Sequence, residues 1–83
     1  MVNINDAQFY HSAKRCRERY NQQINRDQYR WLSNQIANKT EKAVFIKKLS
    51  KRKSLWKIIF SDVVFYVAYD EPMKNICSFL PPL

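Results

Sequence analysis

The chain changes pattern once, near residue 40, and that switch constrains what it can fold into. Before it, apolar residues recur at helical spacing within polar sequence; after it, β-branched and aromatic residues dominate. Helices therefore come first and strands follow, the order of an α+β fold rather than of alternating units.

Residues 5–22 are predicted as a first helix, with Phe9, Ala13, Cys16 and Tyr20 on one apolar stripe and Asn3 or Asn5 as cap. A second helix is predicted from Arg26 to Ala37, capped by Asn25, with Tyr29, Leu32 and Ile36 inward and an exit at Asn38 and Thr40. Four strands follow at 43–49, 55–60, 63–69 and 75–80. They are separated by the basic turn Lys51-Arg52-Lys53-Ser54, the two-residue turn Ser61-Asp62 and the break from Asp70 to Lys74. Pro81-Pro82 ends the sheet, because proline donates no ladder hydrogen bond. The expected fold is one domain over residues 1–83, with two N-terminal helices packed on a four-stranded antiparallel meander.

Turn lengths set a register. The turn at 61 and 62 pairs Phe60 with Val63 and puts Lys57 opposite Tyr66. A five-residue loop from 70 to 74 pairs Tyr69 with Asn75 and puts Tyr66 opposite Ser78. Alternation then assigns Trp56, Ile58, Phe60, Val63, Phe65, Val67, Tyr69, Cys77 and Phe79 to the core face. The other face carries a polar row, Lys57, Tyr66 and Ser78, flanked by Leu55, Ile59, Val64, Ala68, Ile76 and Leu80. A one-residue slip would destroy that row.

At 83 residues the chain has a modest core, so a functional site is expected to be a shallow face or groove. The sequence contains no Gly, which excludes Gly-rich phosphate loops of the P-loop and dinucleotide-binding kinds. One His and two distant cysteines cannot build a standard structural zinc site, and no metal or cofactor is expected. Cys16 and Cys77 are read as buried, reduced thiols. No secretory signal and no membrane span are visible, so the expected location is the cytoplasm.

Charge points to a partner. Fifteen Lys and Arg against seven Asp and Glu give a net charge of +8, which favours a polyanion. Aromatic residues make up 14% of the chain and are interleaved with the basic ones. Aromatic faces stack bases and Arg forks phosphate, so RNA is the expected partner. A basic surface that only aids solubility is the plainer reading.

Three groups of residues are candidates for that contact. His11, Arg15 and Arg19 are spaced to share one face of the first helix, and Lys14 and Arg17 add charge to the same helix. The fixed charges beside His11 favour a neutral imidazole able to accept a proton. The second group is the row of Lys57, Tyr66 and Ser78. The third is the hairpin cluster Lys47, Lys48, Lys51, Arg52 and Lys53, read as a phosphate-gripping arm or as a solvated turn. RNA cleavage without metal needs a base for the 2′-hydroxyl, cations for the charge on phosphorus and an acid for the leaving oxygen. His11 fits base or acid; Arg15, Arg19 and Lys57 fit the cations; Tyr66 and Ser78 fit groups that hold phosphate oxygens. Trp31 and Trp56 are read as core, and Asp62, Asp70 and Glu71 as turn residues.

The segments HSAKRCRER at 11–19, VVFYVAYD at 63–70 and NICSFLPP at 75–82 together resemble the small RelE-like ribonucleases of the barnase–colicin–RelE class. The resemblance implies a metal-independent endoribonuclease, often a toxin, acting on mRNA or tRNA, in some cases at the ribosome, and opposed by a cognate inhibitor protein. It places His11, Arg15 and Arg19 in the family's basic helical motif, and Ser78 where a Thr or Ser stands in its last strand. Ser12 departs from the Ala common in the family at that position, no Gly follows the helix, and no Arg or His lies beyond the last strand. Two other classes fit the same charge: a non-catalytic nucleic-acid binder, and a phage-encoded regulator that docks on an acidic host protein.

Overall fold

A computed structural model describes residues 6–82. Two helices, α1 (Asp6–Tyr20) and α2 (Arg26–Ala37), precede four strands: β1 (Ala43–Lys48), β2 (Lys53–Phe60), β3 (Val63–Asp70) and β4 (Asn75–Leu80). The strands form an antiparallel meander in the order β1-β2-β3-β4, and both helices pack against the sheet. The α+β fold read from the sequence is the fold observed. The predicted caps Asn3 and Asn5 lie outside the described residues.

Local chemistry explains the element ends. The Asn25 side chain accepts from the Gln28 backbone N–H at 2.8 Å, and the Gln28 side chain accepts from the Asn25 N–H at 2.9 Å. This reciprocal box satisfies two donors that a helix start otherwise leaves open. Without glycine, positions that need a left-handed backbone are filled by Asn21, Lys39, Ser61 and Lys74, with φ from 52° to 57°. Asn21 follows α1 and Lys39 follows α2, Ser61 opens the β2–β3 turn, and Lys74 closes the β3–β4 loop. Such backbone costs a residue with a Cβ on the order of 1 kcal/mol.

The core lies between the helices and one face of the sheet. Phe9 and Cys16 of α1, Tyr29, Leu32 and Ile36 of α2, and Ile58, Phe65, Val67, Ile76 and Phe79 of the sheet are buried in one cluster. Phe65 and Phe79 meet edge to face at 5.1 Å, and Tyr20 packs on both. Ser12, which reads as polar in the sequence, is also fully buried, on the inward face of α1.

The β2–β3 register is as predicted, with Phe60 opposite Val63 and Lys57 opposite Tyr66. The β3–β4 register is not. Asp70 extends β3 and pairs with Asn75, so the loop has four residues rather than five. The Asp70 carboxylate accepts the Met73 N–H at 3.2 Å and holds that loop. A bulge then separates Tyr69↔Ile76 from Ala68↔Ser78, and Tyr66 faces Leu80 instead of Ser78. The extra residue reverses two assignments: Ile76 is buried in the core, whereas Cys77 is half-buried with its thiol donating to the Ala68 carbonyl. The expectation of two buried thiols therefore holds for Cys16 only; both cysteines are free. Leu55 and Ala68, expected on the open face, are also buried.

Strand β4 lies at the sheet edge, and side chains of both helices occupy that edge. The Ile76 carbonyl accepts from the hydroxyls of Ser12 (3.2 Å) and Tyr29. The Ile76 N–H donates to the Ser33 hydroxyl at 3.1 Å. Arg19 donates to the Phe79 carbonyl at 2.7 Å. The Tyr20 hydroxyl stands between two strands, accepting from the Tyr66 N–H at 3.0 Å and donating to the Leu80 carbonyl at 2.6 Å. Edge groups that would otherwise template another strand are thereby satisfied.

Burial gives this core an alkaline limit. It pushes the Cys16 thiol up to about 11 and Tyr69 up to about 12, and raises Tyr29 and Tyr20 above the usual phenol range. Each group holds its proton more tightly folded than unfolded. Its contribution is therefore complete below the unfolded values, about pH 9 for thiol and 10 for phenol, and is lost as pH rises through the folded ones. Melting temperatures measured across pH are expected to drop progressively between about pH 9 and 12. A melting temperature unchanged across that window would contradict this burial.

Candidate nucleic-acid interface

Helix α1 runs beside β4, with Ser12 at Ile76, Arg19 at Phe79 and Tyr20 at Leu80. Its inward residues Phe9, Ser12 and Cys16 fix its rotation. This leaves His11 exposed and Arg15 and Arg19 partly exposed, along the side of the helix beside β4.

A groove of about 370 Å³ opens there. Its walls are Ala7, Gln8 and His11 from α1, Lys53 from β2, Ala68 from β3, and Cys77 and Ser78 from β4. Three sequence-predicted residues, His11, Lys53 and Ser78, are thus brought to one concave surface from three separate elements. Lys53 joins them because β2 begins two residues earlier than its pattern suggests; it is a strand residue opposite Asp70, not a turn residue. Cys77 was not foreseen in the groove, and only the bulge places it there. Burial raises the Cys77 thiol, keeping it protonated.

The other candidates are distributed around this groove. Tyr66 is diagonal to Ser78, since their direct partners are Leu80 and Ala68. Lys57 and Tyr66 are half-buried neighbours on the next part of the same face. The three-residue row is thus a pair, with Ser78 two residues along β4 from the position opposite Tyr66. Arg15 binds Glu18 at 2.8 Å, and that ion pair lowers the Glu18 carboxyl below its ordinary value. Arg19 donates to a neutral carbonyl and also lowers the Glu18 carboxyl by its charge. Lys14 and Arg17 lie elsewhere, lining a second groove of about 340 Å³ with Tyr10 and Ile24.

The hairpin charge is partly neutralised. Lys48 binds Glu71 at 2.6 Å and lowers that carboxyl; Arg52 lies 3.8 Å from the buried Asp70 carboxylate. Lys47 and Lys51 are exposed, and Lys47 sits on the outer face opposite Leu55. Asp70 and Glu71 therefore act as partners of this basic cluster as well as turn residues. Trp31 packs on Phe60 with Lys42 over its ring, and Trp56 is half-buried beside Phe45.

Among the described residues, no three His, Cys, Asp or Glu side chains form a group able to hold a metal ion. Among the same residues, no helix is long and apolar enough to cross a membrane. No protein-family model matches the chain, and neither curated proteins nor solved structures yield a match.

Proposed function

We propose that the chain binds RNA along α1 and the outer side of β4, and cleaves it in the groove of His11, Lys53 and Ser78. The supporting observation is that these three side chains, remote in sequence, line one open groove, while Arg19 is held on the Phe79 carbonyl next to Ser78 along β4. In this reading His11 takes the 2′-hydroxyl proton. The 2′-oxygen attacks phosphorus, the bond to the 5′-oxygen breaks as that oxygen takes a proton from water in the open groove, and a 2′,3′-cyclic phosphate and a 5′-hydroxyl result. Lys53 and Arg19 balance charge on the phosphorane, with Arg15 available once an anion competes with Glu18. Ser78 donates to a phosphate oxygen. Lys57 and Tyr66 hold the neighbouring nucleotide, and Lys47 and Lys51 grip phosphates farther along.

A non-catalytic binder is the second reading. The Arg15–Glu18 ion pair favours it, because that arginine is already engaged. Purified protein incubated with total RNA in excess chelator separates the two. The nuclease reading expects cut ends bearing cyclic phosphate. Intact RNA after long incubation, with binding that falls steeply as salt rises, supports the binder. Docking on an acidic protein instead predicts no salt-sensitive RNA affinity.

A further inference from the structure

Another groove on the surface is distinct from the His11 site. It has a volume of about 480 Å³ and lies where α2 ends above the sheet. Phe45, Trp56 and Tyr69 line it, one from each of β1, β2 and β3. Phe45 and Trp56 meet edge to face at 5.4 Å, and Trp56 and Tyr69 at 6.5 Å. The indole N–H donates to the Ser54 hydroxyl at 2.8 Å, which holds the ring in place. Phe45 remains 49% exposed, an unusual state for a large aromatic on a strand.

The rim is cationic. Lys39 and Lys74 stand on it, and the one acidic wall residue, Glu71, is engaged by Lys48. Both rim lysines also occupy left-handed backbone positions, at φ 52° and 57°. Glycine suits such positions best, so two rim positions of one groove carry a long cation where the backbone favours no side chain at all.

We propose that this groove takes one unpaired RNA base with its phosphate. The base stacks on the exposed Phe45 ring with its edge toward Trp56, over the Tyr69 floor, and Lys39 and Lys74 hold the phosphate. This second contact rests on the RNA-binding reading above. It would select single-stranded segments, because paired bases are stacked on one another and cannot enter.

The test uses the full chain carrying Trp31→Phe, so that emission reports Trp56 alone. The ligand is a 2′-O-methyl hexa-adenylate, which cannot undergo 2′-hydroxyl attack. Saturating oligonucleotide is expected to quench Trp56, and a paired RNA duplex to leave it unchanged. Phe45→Ala is expected to weaken hexa-adenylate binding about tenfold. Lys39→Gly with Lys74→Gly is expected to weaken it by about as much while the melting temperature holds or rises, because glycine relieves the backbone. A fall in affinity with that thermal profile cannot come from misfolding. Binding seen by anisotropy with Trp56 silent, or with full affinity in Phe45→Ala, overturns the groove and leaves the RNA reading standing. No binding by anisotropy at low salt overturns both. A concentration-dependent dimer that already shields Trp56 also overturns the groove, assigning the face to a second copy.

Discussion

His11→Ala is expected to slow RNA cleavage by about 10²–10⁴-fold, the range a positioned general base supplies, while affinity stays within about threefold. The split follows from where the charges are. In the proposed reading binding draws on Arg19, Lys53, Lys57, Lys47 and Lys51, none of which the substitution touches. His11 is exposed on a helix whose opposite side is buried, so its loss leaves the core intact. Single-turnover cleavage and equilibrium titration on one RNA read the two quantities separately. Cleavage unchanged in the variant removes His11 from the mechanism, and affinity lost in parallel makes it a binding residue only.

Phe79→Ala is expected to cost about 3–5 kcal/mol of stability. Phe79 is fully buried and packs edge to face on Phe65, with Tyr20 beside it. Its backbone carbonyl also receives Arg19, so the position ties α1 to the edge strand that carries Ser78. Chemical denaturation should show a large fall in midpoint. A loss under about 1 kcal/mol would mean the core does not close between α1 and β4 as described.

The same region shows what could be read from the residues and what could not. The second helix was legible because Asn25 suits its cap and Tyr29, Leu32 and Ile36 recur at helical spacing; the box that Gln28 closes came from the structure. The β2–β3 hairpin was legible because Ser61 and Asp62 interrupt two alternating runs by two residues. The β3–β4 pairing was not. Asp70 looks like a turn residue, yet it continues the strand while its carboxylate holds the loop. The bulged residue, Cys77, follows the apolar Ile76, so hydrophobic alternation gives no sign of it. The buried state of Ser12 was equally hidden, because its partner is a backbone carbonyl far along the chain.

For the candidate site, residue chemistry singled out His11 and Ser78, and the fold brings both to one groove. Lys53 was assigned to a turn cluster and belongs to the groove because its strand starts early. The aromatic groove left a partial trace. Phe45 and Trp56 are visible as aromatics, but only the β1–β2 register makes them direct partners. Lys39 and Lys74 could not be read as rim residues, since left-handed backbone is signalled in sequence by glycine and this chain has none.

The most direct measurement is an amide chemical-shift titration of the full chain with a 2′-O-methyl RNA that binds without being cut. The account predicts the largest shifts at His11, Lys53, Ala68, Cys77 and Ser78, lining the groove between α1 and β4. Shifts confined to Lys14, Arg17 and Ile24 on the other groove of α1, or none at saturating RNA, would contradict it.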